Sequence, residues 1–305
     1  MGWSKRKVKG KKVLVTGATG QVGQPFAEHH AAQNDVWAIA RFGDESKKAA
    51  LEEAGVTCRV VDLQTGEYGD LPQDFDYVFH FAVARPEGDN FDDEFRFNAE
   101  PTGLLMSYCR NAKAFFHCST TGVYDFNGHN VLSEDSRLGD NHRTMFATYS
   151  IGKISTEAVV RFCAREFKLP TVIGRLCVPY GVSGWPFFHL MMMQHDIEIP
   201  VHTDAPSEYT LIHQDDINRI VPKLLDAASV PAATFNLCGQ EHVSIEEWIA
   251  YISELTGLEA KLKPTTETLQ SVKADNSKMQ KVAGKAEVSW KQGIKAMVEA
   301  AGALK

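Results

Sequence analysis

Short apolar, β-branched runs alternate with stretches of helical periodicity along the first half of the chain. The runs predict strands at residues 12–16, 36–40, 56–61, 77–81, 114–118 and 169–174. The periodic stretches predict helices at residues 22–33, 44–54, 92–111 and 147–167. Such an alternation is typical of βαβ units, in which a helix connects two parallel strands. The pattern therefore predicts an α/β fold built on a Rossmann-type, doubly wound parallel sheet.

The predicted helix at 147–167 has an apolar side. Ile151, Ile154, Ala158 and Phe162 recur at helical spacing, and we expect them to face the core. The preceding segment, 125–146, is polar and contains Asn127-Gly128, which predicts a long loop. A loop of that length in a compact domain is more often functional than idle.

The regular alternation weakens after residue 174. Residues 184–200 are apolar and include Met191, Met192 and Met193, while further helices are predicted at 243–257 and from about Trp290. We therefore expect a dinucleotide-binding domain at 1–174, to which 201–240 return. Residues 175–200 and 241–305 are expected to form a smaller C-terminal substrate-binding lobe.

Composition and charge narrow the function classes. A hydrophobic content of 44% with 23% charged residues is that of an ordinary globular protein. The net charge of -7 argues against nucleic acid as a partner, although six of residues 1–12 are Lys or Arg. No apolar run approaches the ~18 residues of a membrane span, and none follows the basic start as in a signal peptide. Six cysteines without a CxxC pair, and histidines without ligand spacing, favour a cytoplasmic protein without a metal.

A glycine motif follows the first predicted strand and opens the first helix. Gly17, Gly20 and Gly23 permit a tight turn and a close backbone approach, and they enclose Gln21 and Val22. The helix N-terminus beside them offers amide donors to a pyrophosphate. A glycine-rich turn that binds nothing is the alternative, but the strand–turn–helix context favours a bound dinucleotide.

The second predicted strand ends without the acidic residue that NAD-selective folds usually place there. Arg41 stands at that position and cannot accept bonds from ribose hydroxyls. Its guanidinium is suited to a 2′-phosphate, which favours NADP over NAD, while NAD stays possible if Arg41 points to solvent. Asp62, after the third strand, is placed to meet the adenine edge.

Tyr149 and Lys153 lie four residues apart on a predicted helix, and therefore on one face. An ammonium one turn from a phenol favours the phenolate form. A phenol tuned in this way can move a proton on or off an alcohol oxygen. Together with a dinucleotide motif, the pair indicates hydride-transfer chemistry.

These residues, in this order, resemble the extended short-chain dehydrogenase/reductase superfamily, also described as the NAD-dependent epimerase/dehydratase family. The matching segments are 16–23, Asp62-Leu63, 78–82, 119–124, 149–153, Arg175 and 211–216. The resemblance implies cofactor contacts from Gly17, Gly20, Gln21, Val22, Gly23, Arg41, Asp62, Leu63, Ala82, Tyr149 and Lys153.

The same resemblance implies a catalytic set. Thr120 would help to hold the reacting oxygen, with Ser119 as a near competitor. Tyr149 would be the acid/base, and Lys153 would bind the nicotinamide ribose and keep Tyr149 acidic. Members of the family often form homodimers through the helices predicted here at 92–111 and 147–167.

Three departures from the family pattern bear on the substrate. Sugar 4,6-dehydratases follow the active Thr with Asp-Glu, where this chain has Thr121-Gly122. Nucleotide-sugar enzymes commonly carry an Asn at the position of Val178 and an Arg at the position of Tyr209, both of which grip the diphosphate. Trp185, Phe187, Phe188 and Met191–Met193 would instead line an apolar pocket, although such a stretch is more often core.

The sequence thus predicts an enzyme that transfers hydride between nicotinamide and a small-molecule ketone or secondary alcohol. A nucleotide-sugar epimerase or dehydratase with tightly bound NAD is the first alternative. A non-catalytic NADP-binding regulator is the second, and it is disfavoured because this chain keeps both Tyr149 and Lys153.

Overall fold

The computed structural model describes residues 8–86 and 88–305. The first part of the basic N-terminal run, residues 1–7, lies outside them. The strands, in chain order, are β1 Lys12–Thr16, β2 Asp35–Ala40, β3 Thr57–Val60, β4 Tyr77–His80, β5 Ala114–Thr120, β6 Val131–Leu132, β7 Thr171–Leu176, β8 Pro179–Tyr180, β9 Ile199–His202, β10 Glu208–Tyr209, β11 Ile212–His213, β12 Ala233–Leu237, β13 Val243–Ser244, β14 Leu262–Thr265 and β15 Lys273–Ala274.

Seven strands form the central sheet in the order β12-β7-β5-β4-β1-β2-β3. The pairs of β1 with β2 and β4, of β2 with β3 and of β4 with β5 are parallel. The order reverses between β1 and β4, and ligands of such sheets bind outside the carboxyl ends of the strands at that point. The predicted doubly wound α/β sheet is confirmed, with β12 as a seventh strand that the sequence pattern did not reveal.

Helices connect and cover these strands. They are α1 Gly23–Ala31, α2 Glu45–Glu53, α3 Phe91–Glu94, α4 Glu100–Tyr108, α5 Tyr149–Glu166, α6 Trp185–Gln194, α7 Gln214–Leu224, α8 Ile245–Thr256, α9 Ser277–Ala283 and α10 Trp290–Ala300. A π-helical turn, Phe95–Ala99, joins α3 to α4, so the helix predicted at 92–111 contains a wider turn. Such turns occur frequently at functional sites.

The predicted core face of α5 is wrong. Phe162 is 63% exposed and Ala158 is exposed, while Ile151 and Ile154 are only half-buried. The buried face instead carries Lys153, Thr156, Glu157, Val160, Cys163 and Ala164. Helical periodicity locates an apolar side but does not reveal which side the rest of the chain covers, and here polar residues with internal partners are buried.

The chain divides into two compact units. The first comprises residues 8–120, with 87 outside the description, together with 151–175 and 218–235. The second comprises 121–150, 176–217 and 236–305. The boundaries predicted from sequence differ because they assign 121–150, 201–217 and 236–240 to the dinucleotide domain. Those segments contact the second unit because 121–150 supply β6, which pairs with β15, and 201–217 supply β10, which pairs with β13.

The second unit has its own core around Trp248. Trp185, Phe187 and Met192 are partly buried against this core, and Phe188 is half exposed. Trp185 contacts Tyr209 edge-on, with ring centroids 5.1 Å apart. The aromatic and methionine stretch therefore mainly packs against the core of the second unit. These contacts do not form the apolar pocket that we expected there.

Within the described residues, every helix is too short or too polar to cross a lipid bilayer.

Buried histidines make the fold sensitive to acid. Burial lowers the pKa of His80 to about 3 and the pKa of His30 and of His189 to about 4, and that of His117 falls well below its ordinary value of 6.5. The unfolded chain binds protons at these groups below 6.5, whereas the folded chain does not. Unfolding free energy is therefore expected to fall as the pH drops from 6.5 towards 4, by up to roughly 1.4 kcal/mol per pH unit for each such histidine.

Denaturant titrations at a series of pH values measure this slope, and His117→Phe is the matched variant. Neither ring nitrogen of His117 has a hydrogen-bond partner within the described chain. Its replacement by a ring of similar shape is expected to flatten the slope and to leave stability at neutral pH equal or higher. An unchanged slope would contradict the assignment of His117 as a buried neutral group.

Candidate functional site

A cleft of about 210 Å³ lies at the carboxyl ends of β1 to β4. Its walls come from the loops that follow these four strands and from the α3–α4 segment. The lining residues used below are Gly17, Gly20, Arg41, Asp62, Leu63 and Ala82. Six of the eleven residues predicted to bind a cofactor thus line one cleft, at the place where the strand order reverses.

Close packing explains the glycines of the loop after β1. Gly17 has a φ of +69°, and a Cβ there would lie 2.6 Å from the backbone nitrogen of Ala82. A Cβ on Gly23 would collide with the carbonyl oxygen of Gly17, to which the Gly20 amide donates a hydrogen bond of 2.9 Å. Side chains are excluded at these positions because the loop folds onto itself and onto the chain after β4. Gln21 and Val22 lie in the same turn but do not line the cleft.

A chain of buried side-chain hydrogen bonds holds the segment after β4 in place. His80 bonds through Nδ1 to Thr16 Oγ1 at 2.6 Å and through Nε2 to Thr102 Oγ1 at 2.9 Å. The Thr102 hydroxyl donates to the Asn98 carbonyl, so it accepts from Nε2–H, and Thr16 donates to Nδ1. The Ala82 amide donates to Thr16 Oγ1 at 3.2 Å. One wall of the cleft is thereby held in place.

Asn98 holds the next stretch of the same wall. Its Oδ1 accepts from the Ala84 amide at 2.7 Å, and its Nδ2 donates to the Ala84 carbonyl at 3.1 Å. Nδ2 also donates to the buried Glu94 carboxylate at 2.7 Å. Asn98 lies in the π-helical turn, which gives the wider turn a concrete role in shaping the cleft.

Arg41 and Asp62, the residues that the sequence predicts to contact the adenosine part of a cofactor, both line the cleft. Arg41 is exposed and lines it directly after β2. Asp62 Oδ1 accepts from the Gln64 amide, and Oδ2 has no hydrogen-bond partner within the described chain. Lys47, on α2, donates to the Thr19 carbonyl of the glycine loop at 2.7 Å. Two cations and one available carboxylate oxygen thus flank the cleft.

These residues fit a dinucleotide. Gly17 and Gly20 line the cleft without side chains, Ile39, Ala40 and Val61 give apolar walls, and Asp62 offers an acceptor to an adenine amine. Such a loop at a helix N-terminus suits a pyrophosphate.

Thr120 and Lys153 both belong to the first unit. Thr120 ends β5 and is buried, and Lys153 lies on the buried face of α5. The Lys153 ammonium donates to the carbonyl of Cys118 at 3.1 Å, which ties the helix to the end of β5.

Ser119, the near competitor of Thr120, has its hydroxyl engaged elsewhere. It donates to Glu157 Oε1 at 2.6 Å. The same carboxylate accepts from Arg175 Nε at 2.9 Å and from Arg175 Nη2 at 2.8 Å, and both charged side chains are about 3% exposed. Ser119 is therefore part of a buried structural network with Glu157 and Arg175.

Tyr149 is the first residue of α5 and belongs to the second unit. Its ring lies nearly parallel to the imidazole of His142, with centroids 5.7 Å apart and an interplanar angle of 28°. Phe146 completes the group, 6.1 Å from Tyr149 and 6.3 Å from His142. Burial lowers the pKa of His142 to about 4, so its ring is neutral at neutral pH.

The structure shows what surrounds two of the residues that depart from the nucleotide-sugar pattern, Tyr209 and Gly122. Tyr209, 2% exposed, donates from its hydroxyl towards the carbonyls of Leu269 at 3.1 Å and Gln270 at 2.9 Å. It is a structural tyrosine and offers no charge to a diphosphate. A Cβ on Gly122 would lie 3.0 Å from the His142 imidazole, so that ring fills the space beside Gly122.

The sequence did not reveal that His142 and Phe146 contact Tyr149, or that Glu157 accepts a hydrogen bond from Ser119. Glu157 follows Lys153 by one helical turn, and this spacing together with Arg175 was the available signal. His142 and Phe146 lie in the segment predicted as a loop, where no periodicity indicates which side chains meet.

Comparison with known proteins agrees with this geometry. Residues 13–238 match the NAD dependent epimerase/dehydratase family. A curated relative is UDP-2-acetamido-2,6-beta-L-arabino-hexul-4-ose reductase of Pseudomonas aeruginosa, 26% identical over 77% of this chain. The match spans 55% of that relative, so this chain covers about half of its length.

Solved structures share the fold. UDP-glucuronic acid 4-epimerase from Bacillus cereus, in complex with NAD, superposes with a TM-score of 0.81 at 23% identity, over 94% of this chain and 96% of that chain. A dTDP-glucose 4,6-dehydratase from Streptomyces venezuelae with NAD bound gives a TM-score of 0.77 at 18% identity, over 94% and 97%. From its motifs, its sheet and these matches, the chain belongs to the NAD-dependent epimerase/dehydratase family, of extended short-chain dehydrogenase/reductase type.

Proposed function

We propose that this protein is an NADP-preferring carbonyl reductase or alcohol dehydrogenase. Its substrate would be a small ketone or secondary alcohol without a diphosphate group. The nicotinamide, when bound, supplies or accepts the hydride. The protein binds the dinucleotide, orients the substrate oxygen and moves its proton.

Each residue of the predicted set has a distinct part in this proposal. Tyr149 gives its phenolic proton to the substrate oxygen during reduction and takes it back during oxidation. Lys153 binds the nicotinamide ribose and favours the ionised phenol. Thr120 donates a hydrogen bond to the same substrate oxygen.

The observation that carries the choice of substrate is Tyr209. A nucleotide sugar needs charged or amide groups for its diphosphate, and each charge-assisted bond contributes ~1.5–3 kcal/mol. Tyr209 is buried with its hydroxyl directed at two carbonyls, and Val178 carries no polar side-chain atom. Neither residue therefore offers a group that would bind a diphosphate.

A nucleotide-sugar epimerase is the second candidate, and the comparisons favour it. The structurally similar Bacillus cereus protein is a UDP-sugar 4-epimerase, and the Pseudomonas aeruginosa relative is a reductase of a UDP-linked sugar. Tyr149 and Lys153 would serve either reaction. The two candidates differ in whether the nicotinamide undergoes a net change.

A cofactor titration followed by a substrate panel separates them. We expect NADPH to bind more tightly than NADH and to be consumed with simple ketones, as followed by absorbance. An epimerase would retain NAD through gel filtration and would interconvert UDP-glucose and UDP-galactose with no net absorbance change. That second result would overturn the reductase proposal.

Arg41→Asp tests the cofactor preference. The substitution removes a cation at the adenosine end of the cleft and adds an acceptor for ribose hydroxyls. We expect NADPH affinity to fall by about tenfold to a hundredfold, since one charge-assisted bond contributes ~1.5–3 kcal/mol, while NADH affinity is kept or improved. Fluorescence titration measures both constants.

Lys48→Asp is the charge-matched control for that experiment. Lys48 lies on α2, is partly exposed and forms an ion pair with Glu52 at 4.0 Å. The same charge change there is expected to affect both cofactors little. Equal losses of NADPH and NADH affinity in Arg41→Asp would show that Arg41 is not the selector.

We also propose a cytoplasmic homodimer, as the cysteine pattern and the family resemblance suggested. The helices α4 and α5 pack together where Gly103 meets Val159, and each leaves a large apolar side chain in solvent, Leu104 and Phe162. Covering such groups favours association. Light scattering is expected to give twice the chain mass of 33.8 kDa, and a monomer would contradict the proposal.

A further inference from the structure

The segment before α5 places an imidazole against the ring proposed as the acid/base. His142 and Tyr149 lie face to face, and Phe146 closes the group from the side. No part of the proposed function uses His142. Its chemistry can nevertheless be worked out from its neighbours.

The side-chain amide of Asn141 fixes the tautomer of His142. Asn141 Nδ2 donates to the Thr121 carbonyl at 3.1 Å, which orients the amide so that its oxygen faces His142 Nδ1. An amide oxygen only accepts, so Nδ1 carries the ring proton. Nε2 therefore keeps its lone pair, and it has no hydrogen-bond partner among residues 8–86 and 88–305.

The position of the ring is equally specific. It occupies the space beside Gly122, where sugar 4,6-dehydratases carry the second of their two acidic residues. A neutral ring with one acceptor thus stands where that carboxylate would project. It cannot remove a proton from carbon as a strong base would, but it can accept a hydrogen bond.

We propose that His142 determines specificity: its Nε2 accepts a hydrogen bond from a substrate hydroxyl on the carbon next to the reacting carbonyl. The substrate class is then an α-hydroxyketone, or a vicinal diol in the oxidative direction. The inference rests on the proposed role of Tyr149. Because the two rings stack with their centroids 5.7 Å apart, we expect adjacent oxygens of one substrate to reach both.

His142→Phe tests the proposal with a matched pair of probes, 2-hydroxyacetophenone and acetophenone. Phenylalanine keeps a flat ring on Tyr149 but removes the acceptor. We expect wild type to favour the hydroxyketone in kcat/KM. In His142→Phe, kcat/KM for the hydroxyketone should fall by about tenfold, which is the effect of one hydrogen bond. Its kcat/KM for acetophenone should change little. Equal losses on both probes, or none, would overturn it.

Phe146→Leu is the control variant, since it trims the same aromatic group and leaves Nε2 in place. This variant is expected to change kcat/KM for the two probes by the same factor. NADPH binding, followed by fluorescence, shows that each variant is folded. Turnover of both probes that survives Tyr149→Phe would refute the proposed function instead, and so separates the two failures.

A spectroscopic measurement works without turnover. Nitrogen-15 NMR of the NADP-bound protein, assigned by comparison with His142→Phe, should show the Nδ1-protonated tautomer. Adding 2-hydroxyacetophenone should shift the Nε2 resonance, and acetophenone should not. A proton on Nε2, or equal shifts with both probes, would contradict the proposal.

Discussion

Tyr149→Phe is expected to lower kcat for ketone reduction by about 10²–10⁴-fold, the usual contribution of a general acid–base group. The substitution removes one oxygen and its proton. It keeps the ring that stacks on His142 and contacts Phe146, so the start of α5 should hold its place. NADPH affinity should change by less than about threefold, because the loss falls on the transition state.

Initial rates by absorbance and cofactor titration by fluorescence measure the two quantities. Tyr251→Phe is the matched control, since it removes a half-buried phenol on α8 that packs against Trp290. We expect that variant to behave as wild type. Unchanged turnover in Tyr149→Phe would show that Tyr149 is not the acid/base, whereas NADPH binding without turnover by wild type would favour the non-catalytic alternative.

Arg175→Met is expected to have the largest effect on stability. Arg175 makes two hydrogen bonds to Glu157, and both side chains are buried. Without Arg175, the buried Glu157 carboxylate keeps one cation nearby among the described residues. That cation is Arg161, which is 3.8 Å away and partly exposed. Removing one partner of a buried pair typically costs ~3–5 kcal/mol.

Denaturant unfolding of a double-mutant cycle measures this coupling. Glu157→Leu together with Arg175→Met should recover much of the loss, because two apolar groups replace two charges. The exposed pair Lys263–Glu198 supplies a control, and Lys263→Met should cost less than about 1 kcal/mol. If Arg175→Met cost no more than that control, the buried network would not be the stabilising feature inferred here.

The sheet could be predicted because its signals are local. A strand such as β4 begins with three apolar residues and is buried along its length, and the glycines after β1 follow from a turn that tolerates no side chain. The π-helical turn at Phe95–Ala99 leaves no such trace, since a wider turn keeps the same residue types. Strand β12 was missed because 201–240 carry no regular alternation.

The site depends on contacts between distant parts of the chain. Lys153 bonds to a carbonyl 35 residues away, and Glu157 bonds to Arg175, 18 residues away. These partners turn a polar side of α5 inward, which is why Ile151, Ile154, Ala158 and Phe162 were assigned to the wrong face. His142 is likewise placed by folding of its segment and not by spacing.

The glycine of the Tyr149–Lys153 motif adds a different kind of information. A Cβ on Gly152 would collide with the carboxylate of Glu94, which is itself held by Asn98 beside the dinucleotide cleft. The middle of the motif is thus a spacer between two helices of the first unit. A related chain with Tyr and Lys in place but a larger residue at the position of Gly152 could not pack this helix as closely against Glu94. A Tyr and a Lys at this spacing therefore do not by themselves specify the close packing of α5 against α3.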